Sequence, residues 1–253
     1  MKKVMIFLLI SFLFISLIFA QEIIQDTFQK ALSAYEANDF ETALKSFSQL
    51  ENEGIINADL FYNIGNCHFR LGNIGEAILY YKKALKEQSN HEAARRNLNY
   101  ALTFTQDKQG TNNEDVVRSF WKKTYDSLSL NLLAFLILIF FAAIVFMICI
   151  MIIRYRGREK TVPFFITSIL IVFMIVFVLL GFLKWQDYHH SKQAVLLSKS
   201  AIGYSGPSQE FVRVFTIHEG MIFQIERTEN DWSLIKLANG LGGWIPTNTY
   251  EKI

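Results

Sequence analysis

The chain has 253 residues, 51% of them hydrophobic and 19% charged, with 23 Phe, 3 Pro, 2 Cys and a formal net charge of +2. Its uncharged apolar residues concentrate in three blocks, which excludes a single compact soluble domain. Two cysteines exclude a disulfide scaffold, and the apolar content excludes extensive disorder.

The first block runs uncharged from Val4 to Ala20 behind Lys2 and Lys3. A positive start, a short apolar run and a small residue at Ala20 predict a secretory signal over 1–20, although Ile18 is not the small residue such sites favour. The alternative is an uncleaved N-terminal anchor. Both send the next segment outward.

Residues 21–106 repeat at an offset of 34. Ala31 maps to Gly65, Tyr35 to Phe69, Asp39 to Asn73, Phe40 to Ile74, Ala43 to Ala77, Phe47 to Tyr81 and Leu50 to Ala84. Small residues recur where paired helices touch, and Asn38-Asp39 and Gly72-Asn73 mark the turns. The segment is similar to the tetratricopeptide repeat (TPR) family, best in Phe61–Asn66, Gly72-Asn73, Glu76-Ala77-Ile78 and Tyr80–Leu85. The usual proline near the end of a unit is absent, with Ser89 in its place. Residues Glu92–Thr105 read as a third, capping helix. Fewer than three full repeats are marginal alone, so support from a partner or self-association is expected.

The resemblance implies an all-α repeat that binds a protein segment on the concave face of its first helices. In register those positions are Phe28, Leu32, Tyr35 and Glu36, then Tyr62, Asn66, Phe69 and Arg70, then Arg96 and Tyr100. Asn66, Arg70 and Arg96 carry fixed donors suited to an acidic tail or carboxylate. The competing reading makes Tyr62 and Phe69 core residues and the arginines solvated. Cys67 reads as a small packed residue.

Residues 107–131 read as a linker followed by a short helix at the membrane surface, with Phe120, Thr124 and Leu128 on one face, or by a simple extension of the first span. Residues 132–153 and 162–183 are then uncharged for 22 residues each, enough to cross a bilayer as helices. Between them lies a basic loop, 154–161, with Arg154, Arg156, Arg158 and Lys160, expected to stay in the cytoplasm. Residues 21–131 hold 12 basic and 15 acidic residues, and 184–253 hold 7 of each. The positive excess therefore lies in the signal and the loop and carries no nucleic-acid message. Trp185 and Tyr188, in a juxtamembrane segment 184–191, stand where aromatic anchors are expected.

Residues 192–253 change to β character. Apolar strands at Ala194–Leu197, Met221–Glu226 and Trp232–Leu237 are separated by turn signals at Ser205–Ser208, Glu219-Gly220, Glu229–Asp231 and Asn239-Gly240. Five short strands predict a small all-β barrel. The segments Ser205-Gly206-Pro207-Ser208, His218-Glu219-Gly220, Asp231-Trp232 and Gly243-Trp244-Ile245-Pro246 resemble bacterial SH3-like domains. Trp232, Trp244 and Tyr250 are its candidate binding surface, with barrel core the competing reading for both tryptophans.

No Cys-x-x-Cys, phosphate loop or Gly-x-Ser-x-Gly is present, and the adjacent His189 and His190 diverge on a helix. The expectation is a protein without catalytic residues, metal or cofactor. The order of signal, TPR, two spans and SH3-like segment resembles the BatE-type proteins of bacterial aerotolerance (Bat) operons. That resemblance implies an adaptor in the bacterial inner membrane, its TPR and SH3-like domains on the periplasmic side. It implies partners among von Willebrand A-type membrane proteins and a MoxR-type ATPase. Binding of peptidoglycan by the SH3-like segment, or a chaperone role for exported proteins, are the competing readings.

Overall fold

The computed structural model describes residues 23–108, 124–125, 128–153, 161–189 and 192–253. The expected signal, most of the linker and surface helix, and the four loop cations lie outside the described residues. The chain divides into two compact units, one made of Met1–Asn112 with Lys192–Ile253, the other of Asn113–Ser191.

The first unit opens with five helices. They are α1 (23–36), α2 (Phe40–Asn52), α3 (Ala58–Leu71), α4 (Ile74–Glu87) and α5 (Glu92–Ala101), the last extended by a 3-10 turn, Leu102–Phe104. The 34-residue offset survives in detail. Asn38 and Gly72, one offset apart, both adopt left-handed backbone, with φ of 62° and 84°. Each ends a first helix so that the second can fold back. The paired positions Ala31 and Gly65, Ala43 and Ala77, Phe47 and Tyr81, and Leu50 and Ala84 are all buried. A Cβ at Gly65 would stand 2.8 Å from the Tyr81 ring, so glycine sets the α3–α4 approach. Side-chain caps start α2, α3 and α5. Asp39 accepts from Thr42 N at 3.1 Å, Asn57 from Asp59 N at 2.7 Å, and His91 Nδ1 from Ala94 N at 3.1 Å.

The same unit contains a seven-stranded antiparallel sheet, two strands more than expected. Its strands are β1 (Gln193–Leu196), β2 (Ser200–Tyr204), β3 (Arg213–His218), β4 (Ile222–Glu229), β5 (Trp232–Lys236), β6 (Gly242–Pro246) and β7 (Tyr250–Lys252). A 3-10 turn, Thr247–Thr249, precedes β7. Their order is β3-β2-β6-β5-β4-β1-β7, an open series whose end strands do not pair with each other. One face carries the core of Ala194, Leu196, Ile217, Phe223, Ile235 and Ile245.

Helices and sheet are not separate modules. Val195 of β1 is buried in one cluster with Ala77, Ile78, Leu79 and Tyr81 of α4 and Leu98 of α5, and Leu197, Ile222 and Ile253 pack on its rim. Gly75 N donates to Glu219 Oε1 at 2.7 Å, and Lys83 Nζ meets Glu251 Oε1 at 2.8 Å. Asp107 accepts from the backbone N of His218 at 2.6 Å and lies 3.1 Å from its Nδ1. The sheet thus covers the outward face of α4. This is the apolar burial that a two-repeat array lacks by itself.

The second unit is a helical hairpin of α6 (Leu130–Ile153) and α7 (Thr161–His189). Both are long and apolar enough to cross a membrane. They pack antiparallel through Phe140 against Phe173 and Phe177, with ring centroids 5.9 and 5.3 Å apart. Pro163 sits in the first turn of α7, where no helical N–H is lost. Thr167, buried, returns its hydroxyl to Pro163 O at 2.7 Å. Tyr125 O–H donates to Asp187 at 2.8 Å, and Lys184 Nζ donates to Tyr125 O at 3.1 Å. These bonds tie the approach to α6 to the end of α7.

Candidate functional site

The groove positions fall into three side-chain groups. The first joins α1 to α3. Phe28 stands edge-on to Phe47 at 5.3 Å and Leu32 packs on the same core, so both are spent on packing. Tyr35 stands edge-on to Phe40 at 5.2 Å. Burial pushes its phenol pKa up, opposed by the neighbouring Arg70 guanidinium. Arg70 lies over the Phe40 ring at 4.3 Å and donates to Asn38 Oδ1 at 3.3 Å. It clamps the turn between α1 and α2 rather than standing free.

The second group is a buried polar knot. Asn66 Oδ1 accepts from Tyr81 O–H at 2.9 Å and from Asn97 Nδ2 at 2.8 Å. The same Asn97 amide approaches Tyr62 O–H at 3.4 Å. Tyr62 is half-buried, its ring 5.1 Å from that of His91. His91 spans two elements, capping α5 with Nδ1 and contacting Asp59 through Nε2 at 3.0 Å. Accepting the Ala94 N–H at Nδ1 places the ring proton on Nε2, facing the Asp59 carboxylate.

The third group is open. Phe69, half-buried, carries Tyr100 at 5.6 Å and Phe104 at 5.5 Å, and these two rings meet edge-on at 5.1 Å. Tyr100 is 58% and Phe104 54% exposed, and Arg96 on the same helix as Tyr100 is exposed. An aromatic patch beside a guanidinium suits a peptide with apolar and acidic side chains. Asn97 and Phe104 are the residues that sequence reasoning missed. Phe104 stands one offset of 34 beyond Arg70, so the repeat itself points to it.

On the sheet, Trp232 and Trp244 share one face. Trp232 is edge-on to Tyr204 at 5.6 Å, and Trp244, only 5% exposed, lies under Arg227 at 5.0 Å. Tyr250 turns to the core side, edge-on to Phe223 at 5.4 Å, with its hydroxyl 2.7 Å from Ser233 Oγ. The three residues therefore do not form one surface.

Among the described residues, no group of three or more His, Cys, Asp or Glu is placed to hold a metal ion. Both cysteines are free. Burial raises the Cys67 thiol to about 12, which leaves it a neutral packing group at neutral pH. The side chains of His189 and His190 lie outside the described residues.

Burial pushes the pKa of His68 down, and the cation of Lys83 adds to this against the charge of Glu251. Its ring stacks on Tyr80 at 5.4 Å. A group held neutral in the folded state takes up a proton more readily when unfolded. Its contribution to stability is present above about pH 6.5 and is lost as pH falls. Glu76 has the opposite sign, since burial first and then Glu219 and Glu251 raise its carboxyl. We expect the melting temperature to fall between pH 7 and pH 5, and His68→Gln to flatten that fall. Glu76→Gln is expected to raise the melting temperature at pH 7, with the gain shrinking toward pH 4.5. Thermal melts across this range check both signs.

The tetratricopeptide repeat family matches residues 58–91, covering α3, α4 and the turn into α5. No curated protein matches the chain. Tetratricopeptide repeats generally mediate protein–protein interaction, so the coarse reading of the helical segment is a protein-binding scaffold, and the family is typically non-enzymatic.

Proposed function

We propose that the chain is a membrane-anchored adaptor that holds a protein segment against the first-helix face of its array. The observation that carries this reading is the unequal use of the two faces. The outward face of α4 is closed by the sheet, whereas Arg96, Tyr100 and Phe104 remain open on the other side. Arg96 supplies the donor for an acidic side chain or carboxylate, and the aromatic patch takes an apolar neighbour.

In this reading α6 and α7 are the spans and 154–161 is the cytoplasmic loop. The compact unit built from 23–108 and 192–253 supports it. The chain leaves that unit before α6 and returns to it after α7, so the spans must be crossed an even number of times. The basic residues Arg154, Arg156, Arg158 and Lys160 then favour the unit on the periplasmic side. The sheet is read as an SH3-like module on the resemblance of the segments Ser205–Ser208, His218–Gly220, Asp231-Trp232 and Gly243–Pro246. The partner class is a membrane protein of the von Willebrand A type, as for BatE-type proteins.

The double variant Arg96→Glu/Tyr100→Ala tests the groove. Both side chains are exposed, so the melting temperature should stay within about 2 °C of the parent. Recovery of the partner by co-purification should drop roughly tenfold or more. Unchanged recovery would sink the groove assignment.

A further inference from the structure

Four charged side chains belong to the groove: Glu36, Asp59, Arg70 and Arg96. Glu36, Arg70 and Phe104 stand one offset of 34 apart, so they share one level on α1, α3 and the turn that extends α5. Phe28, Tyr62 and Arg96 share the level eight residues earlier. The three helices are neighbours in turn. Arg70 of α3 donates to Asn38 at the end of α1, and Asn66 of α3 accepts from Asn97 of α5. The middle helix is therefore α3, and Glu36 and Arg96 occupy opposite corners of the groove.

Two of the four charges are used within the array. Arg70 is turned onto Phe40 and Asn38, and Asp59, three residues before Tyr62, meets His91 Nε2 at 3.0 Å. Glu36 and Arg96 are exposed. Asp39, exposed in the turn after α1, adds a second carboxylate at the Glu36 corner. The bond that its side chain accepts from Thr42 N holds its pKa below the usual carboxylate value, so it stays charged. At the other corner the helix neighbours of Arg96, Glu92 and Arg95, are of opposite sign and cancel. The groove is thus negative where α1 ends and positive at Arg96. Tyr100, one turn beyond Arg96, and Phe69 lie on the way from one corner to the other.

We propose that the groove takes an extended, dipolar protein segment. Its basic residue meets Glu36 and Asp39, its acidic residue meets Arg96, and an apolar residue between them rests on Tyr100 and Phe69. The proposal rests on the groove assignment above and adds the second half of the partner's chemistry. Neighbouring helices pack about 9 Å apart, which puts α1 about 18 Å from α5. Eight helical residues rise about 12 Å. The corners are then about 22 Å apart, a span that an extended chain covers in about six residues. Exposed charge pairs add little affinity, but a like charge at either corner is repelled, so the corners select which segment enters.

The test uses the full chain immobilised in detergent micelles, with pools of capped peptides. Their fixed charged residues lie about six positions apart, and the residues between are uncharged and randomised. One pool pairs Lys with Glu in both orders, a second has Lys at both positions, and a third has Glu at both. The parent should retain the mixed pool about threefold or more over either of the others. Glu36→Lys should move the preference to the Glu pool, and Arg96→Glu to the Lys pool. Both side chains are exposed, so the melting temperature should stay within about 2 °C of the parent. If a reversal lowers it further, Glu36→Gln and Arg96→Gln should each reduce the discrimination at their own corner. A preference that responds to Arg96→Glu but not to Glu36→Lys would overturn the dipolar segment and leave the groove standing. One that does not respond to Arg96→Glu would overturn the groove assignment with it. Equal retention of the three pools by the parent, or retention of none, would also overturn the dipolar segment.

Discussion

Gly220→Val is expected to destabilise the first unit by about 3 kcal/mol, combining a side chain in left-handed backbone with overpacking. Gly220 has φ of 82°, and a Cβ there would stand 2.6 Å from Thr105 Cγ2 and 2.8 Å from Ile78 Cδ1. Thr105 follows the last helical turn of the array and Ile78 is the buried centre of the outward face of α4. The added methyl groups therefore have to part the sheet from the helices. Hydrogen exchange of the full chain reads the effect by region. Peptides from α4 and from β1 should both exchange faster, on the order of a hundredfold where opening is global. Faster exchange in the sheet alone, with α4 unchanged, would show that the two are not coupled.

Asn66→Ala is the second large effect, at about 2–3 kcal/mol, because it strands two polar partners. Tyr81 O–H and Asn97 Nδ2 both bond to the same Asn66 oxygen. Tyr81 is 1% exposed and Asn66 9%, so water does not replace the lost acceptor for Tyr81. Denaturant unfolding gives the loss. In a Tyr81→Phe background the cost of Asn66→Ala should fall by about 1 kcal/mol, since one stranded donor is gone. An unchanged cost would mean that the Tyr81 bond contributes nothing. Asn66 is thus a part of the array's frame. A binding test that alters it together with Arg96 would report misfolding as loss of affinity.

The periodic features of the fold were legible in the sequence. The offset of 34 placed the buried pairs from Ala31 and Gly65 to Leu50 and Ala84, and the left-handed turns at Asn38 and Gly72, because each depends on residues within one repeat. Strands β1, β4 and β5 were read in place from alternation and turn residues. Strands β2 and β3 were harder. Gly203 lies where the Phe215 ring crosses, with a ring carbon 2.4 Å from a Cβ position, and the exposed Val214 breaks the apolar alternation of β3.

The docking of α4 on β1 was not read, since Lys83 and Glu251 lie 168 positions apart and periodicity reports only an element's own faces. A signal was present. Ile78, Leu79, Tyr80 and Tyr81 are consecutive, so α4 is apolar on more than one side and needs two partners. The candidate site divided in the same way. Register alone found Arg96 and Tyr100, which are exposed. It did not show that Arg70 is held by Phe40 and Asn38, or that Asn66 is held by Asn97, because those bonds join different helices.

The groove itself is tested most directly by a photo-reactive phenylalanine analogue placed at Tyr100 and, in a separate protein, at Lys45, an exposed position on α2. Membranes carrying each protein are irradiated and adducts of the chain are compared. The account predicts a discrete protein adduct from Tyr100 that disappears when Arg96→Glu is added, and none from Lys45. Equal adducts from both positions, or none from Tyr100, would contradict it.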